Sequence, residues 1–453
     1  MFKAEFAITL AKALTNESVR NLVKNESLKK VDNEYDVLYH KIKKEKVDEK
    51  TTLEDFLLSL YEGDKNLFKS KANGDRLLTI LVPSFFIENG WDISTDIPIV
   101  AVRNKDEKLV AFNRDGDSAE MDSSEIPNFP VVVVKGNERV IDNSSDKKVL
   151  SGRKDASNYF SNIDGIDYYF NSPIFNPGMQ RSGRTITTWP SPVESTFVSA
   201  WSIALGCTTC SQRDYIYYGI SPSNTSGPLN IKFAEAVTSI SMTSVSIIDY
   251  LGGWDEGAYI FKMTSLFGSR TAAEVLPSSD NLKVFSVYPE ELFTYHTERR
   301  GGFLGIGSYT VKVADGVKEF VMPSPITFVT WNMEKYGDRW KLAIEEYDDT
   351  VTFTKTMKES STFGSNFSVS SGVQEKINSN FGGTSTITKE TTMSYTSTTG
   401  SDDLGSATIE WTFPVLTEYT YPPFTGPVAG RAKTFELTTG SARLSFETVR
   451  IAP

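Results

Sequence analysis

Through the first sixty residues apolar side chains recur three and four apart, the spacing of one face of a helix. Phe6, Leu10, Ala11 and Leu14 form one such stripe. Asn16 is placed to cap a second helix that carries Val19, Leu22 and Val23. A third helix is expected to carry Val37, Leu38 and Ile42. A fourth, starting at Thr51 or Thr52, would bury Leu53, Phe56, Leu57 and Leu60. From about residue 76 the pattern shortens to the runs RLLTILVP, IPIVAVRN, KLVAFNRDG and FPVVVVKG, broken by Pro, Gly and Asn, which read as strands. Helices followed by a small sheet predict an α+β domain over 1–140. Residues 141–185 are polar and rich in turn formers, a linker or long exposed loop that also carries SNIDGIDYYF. From 186 to 453 the strand candidates RDYIYYGI, SISMTSVSIIDY, GAYIFKMT, KVFSVY, GSYTVKV, ITFVTW, RWKLAIEEY, ATIEWTF and ARLSFETV follow at short spacing. The fold class expected is therefore an α+β N-terminal domain followed by an all-β, sandwich-type region. The phrases EFAITLAKAL, YDVLY and GNERVI resemble the N-terminal part of uncharacterised secreted or lipid-anchored proteins of Bacteroidetes, a likeness that carries no activity with it.

Composition narrows the class. The 453 residues are 39% hydrophobic and 23% charged, enough apolar surface for sizeable cores. A net charge of −11 is not the footprint of a nucleic-acid binder, and no nucleic-acid partner is expected. No run of about 18 apolar residues predicts a membrane-spanning helix. MFKAEFAITLAKAL does not read as a signal peptide. With a secreted or cell-surface location expected, a leader would have been removed from this chain. Cys207 and Cys210 are the only cysteines. One CxxC pair lacks the four ligands of a structural zinc, so a local disulfide or two buried thiols are expected.

Catalytic patterns are sparse. His40 and His296 are the only histidines, and no GxSxG, HExxH or GxxxxGK[ST] motif occurs. His40 is expected in a surface or packing role, and His296 lies beside Arg299 and Arg300. GGFLGIG (301–307) and NRDGDSAE (113–120) read as β-turns. The second lacks the glycine and glutamate that an EF-hand loop requires at its sixth and twelfth positions. Catalysis is not the expected function, although paired carboxylates of a hydrolase cannot be picked out among 58 acidic residues.

Two constellations carry chemistry. Asp255–Glu256, Asp348–Asp349 and Asp402–Asp403 each stand at a predicted strand end. Calcium takes six to eight oxygens, typically from loops that converge. Strands ending in acid pairs, then DDLG and another strand, resemble the C2 domain over about 240–415. That resemblance implies calcium held by these six residues and docking to membranes. The family's last acidic cluster and its D-x-G turn stand close together, however, whereas 52 residues separate them here.

Those intervening residues, 350–401, are the second constellation: 24 of the 52 are Ser or Thr, and none is Pro, Cys or Trp. TVTFTKTMK alternates with Val351, Phe353 and Met357 on one side, and TSTITKETTMSYTSTT with Ile387, Met393 and Tyr395 on one side. Two alternating arms about a Gly-containing centre predict a hairpin that brings the acid pairs at its two ends together. Its composition and alternation resemble the insertion hairpins of aerolysin-like pore-forming toxins. Lys389, on the Ile387 side, would oppose insertion by about 2–4 kcal/mol if it faced lipid at the bilayer centre. The function expected is thus binding to a membrane surface, glycan or protein partner, with calcium as a possible cofactor and oligomerisation open. An aerolysin-like pore former is the alternative and a carboxylate-dependent hydrolase the second.

Overall fold

The computed structural model describes residues 2–106, 108–143, 158–171, 175–176, 193–270, 281–347, 352–380, 386–398, 402–420 and 431–451. An N-terminal region mixing helices and strands is followed by one dominated by sheets, the α+β then all-β order read from the sequence. By compactness the chain divides into two units: Met1–Gln180 with Val245–Tyr259 and Ser286–Gly316, and Arg181–Ser244 with Ile260–Phe285 and Val317–Pro453.

In the first unit, helices Phe2–Ala13 and Glu17–Ser27 bury Phe6, Leu10, Ala11, Val19 and Val23, the residues of the predicted stripes. The Asn16 side chain accepts from Ser18 N at 2.8 Å. Thr52 caps Leu53–Leu60 by accepting from Asp55 N. Helices pack on a six-stranded sheet ordered Asp36–Leu38, Leu78–Leu81, Val131–Gly136, Ile99–Arg103, Leu109–Phe112, Ser118–Met121. Neighbours are antiparallel except Ile99–Arg103 with Val131–Gly136. Val132 and Val134 face the helices, while Val131 and Val133 join Phe129 and Trp254 on the other side. A sheet buried on both faces explains the unbroken valine run. The third helix expected at Val37, Leu38 and Ile42 is instead the edge strand Asp36–Leu38 followed by a single turn, Tyr39–Ile42. Pairing with Leu78–Leu81 outweighs the weak local helical spacing.

Turns formed as their residues dictate. Asn113 Oδ1 accepts from the backbone N–H of Asp115 and Asp117, closing the hairpin between Leu109–Phe112 and Ser118–Met121. Leu304 and Gly305, with φ of 48° and 83°, form the bend inside GGFLGIG. The stretch expected as linker holds a three-stranded sheet, Val140–Asp142, Ile166–Phe170 and Tyr159–Ile163. Its hairpin turns on Asp164–Gly165 at φ of 55° and 81°.

The second unit holds two four-stranded sheets. One is ordered Phe320–Thr327, Phe233–Met242, Ala442–Arg450, Glu436–Thr438. The other is ordered Leu282–Val287, Tyr259–Phe267, Arg339–Glu346, Asp403–Glu410. Phe328 contacts Phe446 of the first and Phe267 of the second, a sandwich-like core. Trp331 stacks on Trp340 at 4.0 Å and meets Trp411 edge-on. RDYIYYGI, expected as a strand, is the helix Gln212–Tyr218. Ser211 and Asp214 form a capping box, and Gly219 ends the helix at φ 61°. Local capping therefore outweighs the β propensity of Tyr and Ile here. ITFVTW, also expected as a strand, leaves its sheet at Thr327, and Asn332 caps the turn Met333–Tyr336.

Candidate functional site

Within the second unit the Ser/Thr-rich segment forms a hairpin of two twelve-residue strands, Thr352–Phe363 and Ile387–Thr398. The pairing runs without a slip from Thr352 opposite Thr398 to Phe363 opposite Ile387. Among the described residues each arm pairs only with the other, a two-stranded sheet of its own. A two-residue period puts alternate side chains on opposite faces. One face carries Met357, Phe363, Ile387, Met393 and Tyr395 together with Lys355, Glu359, Ser361, Lys389, Thr391 and Ser397. Among the described side chains the other carries seven Ser or Thr with Lys358 and Glu390, which pair across the strands at 3.4 Å.

The mixed face docks. Met357, Met393 and Tyr395 pack on Leu266 and Ala343, from the strands Tyr259–Phe267 and Arg339–Glu346. This apolar contact is small, and polar bonds supplement it. Buried Glu345 accepts from Lys262 Nζ at 2.8 Å through one oxygen. Its other oxygen accepts from Ser397 Oγ at 2.6 Å and Lys355 Nζ at 3.4 Å. One carboxylate thus holds both arms to the sheet. Lys355 also reaches Asp403 Oδ2 at 3.2 Å. Burial works against its charge, yet Glu345 and Asp403 hold its pKa above the ordinary lysine value. At the far end of the arms, Ser361 Oγ donates to Arg339 O and Thr362 N to Asp338 Oδ1. Thr408 Oγ1 donates to Glu359 Oε2 at 2.7 Å.

Of the acid pairs, Asp348 and Asp349 lie outside the described residues. Asp403 bonds Lys355 and its own turn at Gly405 N. Asp402 accepts from Glu346 N through its backbone carbonyl, and burial raises its carboxyl pKa. Asp255 and Glu256 fall in the first unit. There both oxygens of buried Asp255 accept from Arg103, and Glu256 pairs with the same guanidinium at 3.1 Å. Among the described residues no group of three or more His, Cys, Asp or Glu is arranged to hold a metal ion. Among the described residues of the proposed cluster, Asp403 meets the hairpin, and it meets a lysine.

His40 is buried, its ring between Asp75 O at 3.1 Å and Lys43 Nζ at 3.2 Å, in a packing role. His296 is exposed between Glu298 at 2.8 Å and Asp315 at 3.4 Å. The hydrogen bond to Glu298 does most to raise its pKa. Cys207 and Cys210 are joined as a disulfide. Reading the sequence by acid pairs missed Glu345, three residues before Asp348. Lys262, the one charged residue of GAYIFKMT, and Glu345, directly after the apolar LAI of RWKLAIEEY, were the available signal.

Compared with known protein families, curated proteins and solved structures, the chain matches none. Among the described residues no helix is long and apolar enough to cross a membrane.

Proposed function

We propose that the protein acts on membranes by releasing the hairpin Thr352–Thr398 and inserting it as two strands of an oligomeric β-barrel. One observation carries this reading: the hairpin pairs only with itself among the described residues, and it is docked by a half-polar face through the Glu345 carboxylate. Its arms are long enough. At about 3.4 Å per residue, twelve residues reach roughly 40 Å, against a hydrocarbon core of about 30 Å. A lone hairpin leaves two unpaired edges, which lipid cannot satisfy, so several copies must close a barrel. The Ser/Thr face suits a water-filled lumen and the face bearing Phe363 and Ile387 suits lipid. Recognition of a membrane surface, a glycan or a protein partner would precede release. The disulfide fits an oxidising, extracellular setting.

Dye-loaded vesicles of phosphatidylcholine with a nickel-chelating lipid test this, with the chain tethered through an added N-terminal hexahistidine tag so that no receptor is needed. Dye release and an SDS-resistant oligomer are expected. Intact vesicles at saturating protein would refute insertion.

A further inference from the structure

The sequence between the two arms keeps their period. From Val351 to Tyr395 there are twelve Val, Ile, Met, Phe or Tyr residues, and every one stands at an odd position. A helical face would need both parities, because its residues recur three and four apart; strict parity is the period of a strand. Yet part of this connection, Ser371–Asn380, is a helix. Val373 and Ile377, four apart, satisfy both periods.

The observed register adds a second, independent constraint. Continued without a slip from Phe363 opposite Ile387, it sets Val369 opposite Phe381 and Val373 opposite Ile377. It closes on Gln374–Glu375–Lys376, a three-residue loop of the length hairpins use. Charge falls in step with this register. Between Glu359 and Lys389 the only charged residues are Glu375 and Lys376, at that tip. The charge-free arms Ser360–Gln374 and Ile377–Thr388 are fifteen and twelve residues long. A membrane strand needs roughly 9–11. Lys389 then stands at the rim of the band, not at its centre.

In the folded protein part of that parity is already sheltered. Phe363, Phe367, Val369 and Ile377 are buried, with Phe367 against the Tyr218 ring at 4.8 Å, while the even-numbered Asn366, Ser370 and Gly372 are exposed; of the odd positions, Ser379 and Ile387 stay exposed. We infer that the bilayer-facing surface of this protein is the odd-numbered face of Ser360–Thr388. The helix Ser371–Asn380 re-forms as the strand ends, and Gln374–Glu375–Lys376 is the tip that crosses the membrane. This rests on the reading of the hairpin as a membrane-inserting element, and extends each arm to Val373 and Ile377. Its lumen side, with Asn366, Ser368, Ser370 and Asn378, is polar and uncharged, which predicts a channel with weak ion selectivity.

Ser379 and Ser370 are both exposed in the folded protein and lie on opposite faces of the extended hairpin, so substitutions there separate the two states. On the tethered vesicles S379R lowers dye release at least tenfold and S370R leaves it within twofold, with unchanged melting temperatures. An environment-sensitive fluorophore on S379C shifts to the blue and is quenched from the lipid phase; on S370C it is not. If the parent chain releases dye while both labels stay in water and S379R stays active, the extended tip is refuted and the pore reading stands. If the parent chain releases none, both fall.

Discussion

Glu345 and Glu235 are buried carboxylates in the second unit, and they work differently. Glu235 accepts from Arg213, Tyr217 Oη and Thr448 Oγ1, and all four residues belong to the permanent core. Removing one partner of a buried pair strands the other charge, so Arg213→Ala is expected to cost about 3–5 kcal/mol, read by urea unfolding. Glu345 bonds a core lysine and two residues of the hairpin, so truncating one hairpin partner loosens only the dock. Ser397→Ala removes a bond to a charged acceptor, about 2 kcal/mol. The expected result is faster dye release from tethered vesicles with a small loss of thermal stability; slower release would contradict a latch. Asp214 gives a pH signature. Burial raises it to about 6, against lowering bonds from Trp411 Nε1 and Ser211 N. A carboxyl raised in the folded state favours folding when protonated. Its contribution is therefore full below its ordinary value and lost as pH rises through about 6. The stability difference between the parent chain and Asp214→Asn should thus change in the parent's favour as pH falls from 7 to 5, measured by thermal melts in matched buffers.

Elements show where pattern and structure part. Strands buried on both faces, such as Val131–Gly136, were readable because they carry an unbroken apolar run, here Val131 to Val134. The helix Gln212–Tyr218 was missed because its Tyr and Ile residues favour strands, while the decisive signal was the box Ser211–Asp214 and the Gly219 cap. The hairpin arms were legible from alternation alone, since a two-residue period survives wherever one face is covered. Their dock was not. Glu345 is one of 58 acidic residues, and only its burial beside Lys262 and Ser397 distinguishes it.

At the scale of the whole molecule the chain passes more than once between its two units, since Val245–Tyr259 and Ser286–Gly316 return to the first. The disulfide Cys207–Cys210 closes a loop of four residues, and such a short loop constrains the unfolded chain little. Reduction, or Cys207→Ser with Cys210→Ser, is expected to cost no more than about 2 kcal/mol by that loop-entropy scale and to leave dye release intact. Loss of folding on reduction would show that the link between Ser195–Leu205 and Gln212–Tyr218 matters more than its length suggests. Barrel closure predicts that activity rises more steeply than linearly with the surface density of tethered protein. A linear dependence would argue for a single-copy membrane defect instead.

The sequence by itself determined the order of fold classes, the capped N-terminal helices, the tight turns and the alternating arms, because each depends on residues within a few positions of one another. Tertiary structure alone decided that Asp36–Leu38 is an edge strand, that Asp255 spends both oxygens on Arg103, and that one buried carboxylate holds both arms of the hairpin. Apart from Lys355, ten residues from Glu345, those outcomes depend on partners 41 to 152 residues away, and local spacing carries no record of them. The strict parity of 351–395 lies between the two: it is written in the sequence, and the strand register gave it a geometric meaning.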